Sequence, residues 1–524
     1  MKNKTPERET DWSLIDQPLK QRLKKNTITN IIFFISTFPL TFIITPMIIH
    51  RCGREIYGVW ALVATMLIFL ELIAGLQAPS VVSVMIPKYD PKKSPDDVNM
   101  IINTMFFYFI ASASVLLALY FLFRNVLIGT FFKVSPGALN DTIFIVALSI
   151  CSYFVYFLLT GFQYLLVVYN VTYITNTAHI VTAYIRTAAM IVALIKGYGI
   201  RGLVAAQMAA LILEALVLAI YSKKAFPPLS IRFKYFSAEK LRQMAVLSGK
   251  FVSAKISTLL LWNADRLIIA FFINPAASGI YQIGASIAKY ISSIPDMMGL
   301  TSLLPAAAEL KSKNMAEKIS LMFERVNKYI MFAAIFMVFG IIAFGKEFIL
   351  LWLGPGFDDT YRVMAVLAVS YTFGVIGYPA MNILNGMEKI RGTVIISAVA
   401  GGATLVLGAI LTKFYGMNGM LIASSVCVAA SGAALYMLYV KLTGTGVNFI
   451  VLLAKPVLAA AAAWAAVHFI PSAMLPAKGW LLFFIKTGAY SLLYIAISLL
   501  ILRHFDDYDL NIIRNIFPKN AGKQ

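Results

Sequence analysis

Hydrophobic residues occur along this chain in long runs, each long enough for a helix that crosses a lipid bilayer. The runs are about 20 residues long, as the hydrocarbon core of a bilayer requires, and they recur from Ile28 to Leu502. About fourteen such runs predict an all-α, polytopic membrane protein, because a transmembrane β-barrel would show segments of about ten residues with alternating polarity. The predicted spans are centred near Phe38, Leu67, Ser112, Cys151, Ala183, Leu211, Leu259, Tyr290, Ala333, Tyr371, Val399, Val428, Ala460 and Leu492.

Charge sets the orientation of these spans. The chain has 524 residues and a formal net charge of +21, and most of its Lys and Arg lie in short loops. With both ends in the cytoplasm, the inside segments hold about 26 Lys and Arg and the outside segments about 10, as the positive-inside rule requires. The basic composition therefore indicates a multi-pass topology with cytoplasmic termini, and it needs no nucleic-acid partner.

The sequence repeats itself after six spans. KGYGIRGLVAA at 196–206 returns as KFYGMNGMLIA at 413–423, and PGALNDT at 136–142 returns as PGFDDT at 355–360. An interval of six spans gives both copies the same orientation in the membrane. The repeat predicts two parallel six-helix bundles, related by a pseudo-two-fold axis along the membrane normal, plus two C-terminal helices outside it.

The repeat divides the chain into six parts. These are a cytoplasmic N-tail (1–26), an N-terminal bundle of helices one to six (27–221), a cytoplasmic linker (222–244), a C-terminal bundle of helices seven to twelve (245–440), helices thirteen and fourteen (441–503), and a cytoplasmic tail (504–524). Within the N-tail, SLIDQPLKQRLKK is either a short amphipathic helix on the inner membrane surface or a solvated flank of the first span.

Motifs of enzyme chemistry are missing from the sequence. Gly197, Gly199 and Gly202 match the dinucleotide fingerprint G-x-G-x-x-G, but a transmembrane helix precedes them where that motif needs a strand, which favours a tight outer turn. There is no P-loop and no hydrolase motif, and the three cysteines are far apart in sequence. We therefore expect a protein that is not an enzyme and has no catalytic residues, cofactor or metal.

One predicted span carries charges that a lipid-facing helix would not. KFVSAKISTLLLWNADRLIIAFF at 250–272 contains Lys250, Lys255, Asp265 and Arg266. A charge near the bilayer centre is unfavourable by roughly 2.5 kcal/mol or more, so such a helix faces protein or water. Lys255 and Arg266 share one helix face by their spacing, whereas Asp265 points about 100° away from Arg266.

Two further spans carry polar stripes. In the eighth span the stripe has the spacing i, i+3, i+4, i+7, and Pro295 predicts a kink beside it. Its residues are Lys289, Ser292, Ser293 and Asp296. The stripe of the fifth span has the spacing i, i+4, i+7, i+11 and consists of Thr175, His179, Thr182 and Arg186.

Cations outnumber acids on the fifth, seventh and eighth spans, which predicts a water-filled cavity that receives an anion. The candidate anion-contacting residues are Arg186, Lys255, Arg266 and Lys289. The candidates for coupling to a proton or sodium ion, or for pairing with those cations, are Glu71, Glu214, Asp265 and Asp296. The structural alternative is a set of interhelix ion pairs.

The same segments resemble a known family. SIRFKYFSAEKLRQMAVLSGKF, LWNADRLIIAFFI and GIYQIGASIAK follow one another as in bacterial polysaccharide and O-antigen repeat-unit flippases, and GREIYGVWAL (53–62) and LNGMEKIRGT (384–393) fit the same pattern. The resemblance covers roughly residues 20–505. Relatives often have Asp-Leu-Gly at the end of the second helix, where this chain has ELIAGLQAP and no Asp.

The resemblance implies a fold of two bundles around a central cavity, in the multidrug/oligosaccharidyl-lipid/polysaccharide (MOP) exporter superfamily. It also implies transport of undecaprenyl-pyrophosphate-linked oligosaccharides to the outer leaflet of the bacterial inner membrane, for lipopolysaccharide or another surface polysaccharide. Membrane lipid, a polysaccharide polymerase and a chain-length regulator are the implied partners. The alternatives are a lipid II flippase, an ion-coupled multidrug exporter of the same superfamily, and a membrane-embedded glycosyltransferase, which would need a larger outer loop.

Overall fold

Helices make up all the regular structure in the described part of the chain. The structure, a computed structural model, describes residues 18–132, 134–298, 300, 303–469, 479–502, 504–506 and 509. Its α-helices are α1 Leu19–Cys52, α2 Arg54–Ala74, α3 Ala78–Met85, α4 Pro95–Val126, α5 Leu139–Val168, α6 Thr172–Ile195, α7 Gly199–Ala225, α8 Ala238–Phe272, α9 Pro275–Ser292, α10 Ile294–Met297, α11 Leu303–Ser312, α12 Ala316–Leu353, α13 Asp358–Val375, α14 Gly377–Gly386, α15 Ile390–Thr443, α16 Phe449–His468 and α17 Trp480–Ala496.

These helices confirm the spans predicted from hydropathy. Among the described residues, 10 helical stretches are long and apolar enough to cross a membrane. One of them, Ile390–Thr443, has 54 residues and counts as two spans, because the backbone of Gly416 is non-helical at φ 59° and ψ −143°. The shorter apolar helix Leu452–His468 and the more polar helices α8 and α9 bring the number to fourteen.

The chain forms two compact units. The first extends to Leu259 and includes Arg266–Gly279, and the second comprises Leu260–Asp265 and the chain from Ile280. In the first unit α5 and α6 both pack on α7, and α1 packs on α6. In the second unit α13 and α14 pack on α15, and α12 packs on α13. Each unit therefore has its own network of packed helices.

The glycine turns of the repeat share a positive φ in the two units. Gly199 has φ 56° where α7 begins, and Gly416, its equivalent in the second copy, has φ 59°. Both values lie in the left-handed region that glycine tolerates, so the glycine pattern marks a turn between helices, as predicted.

A polar contact braces each of these turns. In the first unit Arg201 Nε donates to Asp141 Oδ1 at 2.8 Å. In the second unit Arg362 Nη1 donates to Asn418 Oδ1 at 3.2 Å, and Asn418 is the repeat equivalent of Arg201. The two copies therefore keep the position of the contact while the residues that make it have changed.

The basic N-terminal segment belongs to the first span. Helix α1 runs without interruption from Leu19 to Cys52. Asn26 fixes it to the turn between α5 and α6, because its Nδ2 donates to the Asn170 carbonyl at 3.0 Å and its Oδ1 accepts from the Tyr173 amide at 2.7 Å. From Leu19 onwards the segment is an extension of the spanning helix, and residues 13–17 lie outside the described part.

The two C-terminal helices pack on α12 of the second unit. Tyr490 donates to the Phe336 carbonyl at 3.0 Å, and Tyr494 donates to the Phe332 carbonyl at 2.8 Å. After α17, the carboxylate of Asp509 forms an ion pair with Arg325 at 2.8 Å. The added pair is thus attached to one helix by apolar packing, by two tyrosines and by a terminal ion pair.

Candidate functional site

One candidate acid, Glu71, lies beside an interruption of its helix. In the first unit α2 ends at Ala74, and Leu76 and Gln77 have left-handed backbones, with φ of 48° and 46°. Glu71 is one turn before this break, and its carbonyl accepts from the Gly75 amide at 2.9 Å. Interrupted helices are typical of transporter sites, because unwound backbone offers polar groups to a ligand.

The polar stripe of α6 faces a buried glutamate of α7. Glu214 is 5% exposed, its carboxylate contacts Nδ1 of His179, and it accepts a hydrogen bond from Thr182 at 2.9 Å. Arg186 is half-buried and interacts electrostatically with the same carboxylate. The predicted stripe is therefore organised around Glu214, which sequence reasoning had placed separately on the next helix.

Glu71 and Lys255 form a second charged group in the first unit. Glu71 is half-buried on α2, Lys255 is exposed on α8, and the two interact electrostatically. An exposed ammonium at this depth in a span has to be solvated by water or by lipid headgroups. Lys255 is thus the most exposed of the four predicted anion-contacting cations.

Asp265 and Arg266 are far more enclosed than Lys255, with 4% and 5% of their surfaces exposed. In the first unit Arg266 interacts with Tyr57, and its carbonyl accepts from the Ser278 hydroxyl at 2.9 Å. In the second unit Asp265 lies beside Tyr281, which is fully buried. Although Lys255 and Arg266 share a helix face by spacing, neighbouring helices cover only Arg266.

Lys289 and Asp296 lie on either side of a helix break in the second unit. Helix α9 ends at Ser292 and α10 begins at Ile294, so the interruption predicted beside Pro295 is confirmed. Lys289 is half-buried, whereas Asp296 is exposed and accepts a hydrogen bond from the Tyr378 hydroxyl at 3.1 Å. Tyr378 lies on α14, far away in sequence, and no local pattern indicates this contact.

These contacts correct the charge balance from which the anion site was predicted. On the fifth, seventh and eighth predicted spans the cations exceed the acids, because Glu71 and Glu214 lie on the second and sixth spans and were not counted with them. In the structure both acids lie within electrostatic range of the cations, Glu214 for Arg186 and Glu71 for Lys255. The excess of positive charge is therefore smaller than the sequence count indicated, since acids from neighbouring helices compensate it.

No group of three or more His, Cys, Asp or Glu within the described ranges is arranged to hold a metal ion. The residues that the structure brings together are instead pairs and small clusters of opposite charge. Such groups suit the binding of an ionic ligand or of a proton.

Several solved transporter structures have a similar fold. The lipid II flippase MurJ in an inward closed conformation has a TM-score of 0.66 and 16% identity, covering 90% of this chain and 99% of that chain. An inward-facing multidrug resistance MATE family transporter of the MOP superfamily has a TM-score of 0.63 and 11% identity, covering 77% and 94%. A MOP superfamily transporter from Pyrococcus furiosus, described as having a binding pocket of reverse polarity, has a TM-score of 0.52 and 13% identity, covering 83% and 98%. The fold is that of MOP superfamily transporters, as predicted.

The sequence adds the family. Residues 23–311, more than half of the chain, match the family of polysaccharide biosynthesis proteins, and the chain belongs to that family. No curated protein sequence matches the chain. The matched region includes α6, α7, α8 and α9, the helices that carry most of the candidate charges.

Proposed function

We propose that this protein is a flippase that carries undecaprenyl-pyrophosphate-linked oligosaccharide repeat units from the inner to the outer leaflet of the bacterial cytoplasmic membrane. The observation that carries the proposal is the polysaccharide biosynthesis family match over residues 23–311, in a chain with a transporter fold. A transporter in such a pathway acts where a sugar intermediate has to cross the membrane. A polysaccharide polymerase and a chain-length regulator are the partners expected to use the translocated product.

The cargo explains why the spans contain cations. A pyrophosphate attracts Lys and Arg strongly where the local dielectric is low. Lys255, exposed, and Lys289, half-buried, are the cations best placed to meet it first. Arg186, Arg266 and Lys255 also interact with protein groups, so a phosphate that binds these cations has to compensate their charge in place of those partners.

The proposed transport cycle is alternating access. The two bundles open the site to the cytoplasm and then to the outside, while the sugars stay in water and the lipid tail stays in the bilayer. Glu71, Glu214, Asp265 and Asp296 are the candidates for ion coupling. Glu214 suits this role best, because an imidazole, a hydroxyl and a guanidinium surround its carboxylate.

A lipid II flippase is the second candidate, and one observation favours it over a multidrug exporter. The MurJ structure covers 90% of this chain, whereas the MATE structures cover 77–83%.

Mass spectrometry of lipid extracts tests the proposal. A strain that lacks the gene is compared with the same strain carrying the restored gene, and surface polysaccharide is measured in parallel. We expect a complete repeat unit to accumulate on undecaprenyl pyrophosphate while surface polymer disappears.

Accumulation of lipid II with cell lysis would support the second candidate instead. Unchanged lipid intermediates together with unchanged surface polymer would overturn both, and drug-efflux assays would then test the multidrug alternative.

A further inference from the structure

A short basic and aromatic segment of the linker, residues 231–236 (IRFKYF), lies on the surface of the first unit. We refer to it as the interfacial segment. Its first four residues are all exposed, and Phe233 has 71% of its surface exposed. Phe233 lies between Arg232 and Lys234, so one bulky apolar side chain is flanked by two cations.

Two asparagines of α4 hold the backbone just before and within this segment. Asn99 donates to the Pro228 carbonyl at 3.1 Å and accepts from the Ser230 amide at 3.0 Å. Asn103 donates to the Ser230 carbonyl at 2.8 Å and accepts from the Arg232 amide at 2.7 Å. Both side chains are buried, at 1% and 0% exposure. Non-helical backbone has N–H and C=O groups that need hydrogen-bond partners from the protein where a membrane excludes water, and the two asparagines provide them.

The depth of the segment follows from its contact with α4. The rings of Phe233 and Phe107 meet edge to face at 5.2 Å. Helix α4 has 32 residues, so it is about 48 Å long and exceeds a hydrocarbon core of about 30 Å by about 18 Å. Phe107 lies about 18 Å along this helix from Pro95. If the excess is shared between the two ends, Phe107 lies about 9 Å inside the apolar layer.

The segment also lies on the side of α4 that faces lipid. Thr104 accepts from the Ser237 amide at 3.0 Å, directly after the interfacial segment. Val115 and Leu122 follow Thr104 at i+11 and i+18, on the same face, and are 57% and 73% exposed. Exposed apolar residues on a spanning helix contact lipid, so the linker covers the inner end of a lipid-facing stripe.

The charges of the segment complement an anionic surface. The linker 222–244 contains six Lys and Arg and one acid, Glu239. Lys240 is already engaged by the Tyr89 hydroxyl at 2.7 Å and by Asp97 at 3.7 Å. Arg232 and Lys234, in contrast, are exposed on either side of Phe233, and Lys234 lies over the Tyr235 ring at 4.7 Å.

We infer that the interfacial segment is a lipid-binding site, in which Phe233 inserts among acyl chains while Arg232 and Lys234 bind the phosphate groups of anionic phospholipids. The inner leaflet is the source of these lipids, and this assignment rests on the proposed topology. Basic segments with bulky apolar residues bind anionic membrane surfaces, and each Lys or Arg strengthens the binding. A soluble acidic partner fits less well, because Phe233 lies at the depth of the acyl chains.

Native mass spectrometry of the full-length chain in detergent, titrated with phosphatidylglycerol or phosphatidylcholine, tests this inference. We expect the variant R232Q/K234Q to bind phosphatidylglycerol about 25-fold more weakly, roughly fivefold for each charge removed, with phosphatidylcholine binding unchanged. The Asn103 bond to residue 232 involves only the backbone amide, so the substitution leaves it in place. The matched control is K92Q/K93Q, which removes two exposed charges from another loop of the same unit.

Equal losses in both variants would show that net charge alone governs lipid binding and would overturn the proposed site. A variant R232Q/K234Q that binds phosphatidylglycerol as tightly as the wild type would overturn it as well.

A second measurement tests the depth of the segment in the membrane. The variant Phe233→Trp is placed in vesicles of phosphatidylcholine and phosphatidylglycerol, and its additional Trp fluorescence over that of the unsubstituted chain is measured. We expect brominated lipid to quench this additional fluorescence. The variant Tyr198→Trp, in the turn before α7, is measured in the same way for comparison. Unquenched fluorescence at position 233 would place the segment in water and contradict the inference. Neither readout depends on transport, so both stand apart from the proposed function.

Discussion

At the residue scale, the cluster around Glu214 shows how the protein tolerates a buried acid. A carboxylate inside a membrane is stable only with partners close by. Glu214 has His179 and Thr182 in direct contact and Arg186 in electrostatic range. Glu214 therefore has three neighbours that can stabilise its negative charge.

We expect Glu214→Ala to destabilise the protein more than Glu214→Gln, by about 1–3 kcal/mol, because the amide keeps an acceptor for Thr182. Thermal unfolding of both variants in detergent measures the difference. Transport at pH 6 and pH 8 then separates two roles. Coupling predicts that Glu214→Gln loses the pH dependence of the wild type, whereas a pairing role alone predicts that the dependence is kept.

A second residue-scale prediction concerns the cations. Lys289→Glu and Arg266→Glu should abolish transport while the protein still inserts, because each places a carboxylate where the pyrophosphate is proposed to bind. Lys289→Glu is expected to disturb folding less than Arg266→Glu, since Lys289 is only half-buried. Lys346→Glu, at a side chain with 74% exposure, is the control for a change of charge elsewhere. Full complementation by both test variants would contradict the proposed anion site.

At the element scale, close packing between helices depends on small residues at particular positions. A Cβ on Gly432 of α15 would lie 2.4 Å from the Phe373 carbonyl oxygen of α13. A Cβ on Gly402 of the same helix would meet nothing within 4 Å. The small-residue runs of the sequence therefore contain both contact glycines and glycines with open space.

We expect Gly432→Ala to destabilise the second unit by about 1–3 kcal/mol, because the backbones of α13 and α15 have to move apart. Gly402→Ala should stabilise it by up to about 1 kcal/mol, because alanine favours the helix. Thermal unfolding of the two variants side by side checks the pair. Equal effects would show that α13 and α15 are not in close contact at Gly432.

The attachment of the C-terminal helices provides a pH-dependent element. His504 is 6% exposed, and its ring stacks on Phe332 at 5.6 Å. Burial, together with repulsion from Lys328 and Lys455, lowers the pKa of His504 from 6.5 to about 4. Between these two values the unfolded segment binds a proton and the folded one does not, so the stability of the attachment falls as the pH drops.

We expect the attachment to be weaker at pH 5 than at pH 7 by about 2 kcal/mol. Limited proteolysis of the C-terminal segment at the two pH values measures this change. In the His504→Phe variant, which keeps an aromatic ring against Phe332 and has no titrating group, the change between pH 5 and pH 7 should be much smaller. The same pH dependence in both proteins would assign it to another group.

At the scale of the whole molecule, the distribution of Lys and Arg decides how the chain crosses the membrane. Tyr198 and Tyr415 are equivalent in the repeat, 65% and 66% exposed, and predicted to lie outside. Lys93 and Lys313 have side chains with 85% and 55% exposure and are predicted to lie inside. These two pairs test the orientation of each unit independently.

A membrane-impermeant thiol reagent should label Tyr198→Cys and Tyr415→Cys in intact cells. The same reagent should label Lys93→Cys and Lys313→Cys only after the membrane is permeabilised. The unsubstituted chain, with its three cysteines, gives the background. The opposite pattern in either unit would reverse the predicted orientation of that unit.

The sequence by itself determined the helices, the repeat and the superfamily. Spans, turn glycines and the break beside Pro295 follow from apolar runs and from backbone chemistry, which act over a few residues and can be read locally. The tertiary structure decided which charges face one another. Glu214 and Arg186 belong to different helices, and Tyr378 is 82 residues from Asp296. Such contacts depend on how helices rotate and pack, and the spacing within one helix does not contain that information.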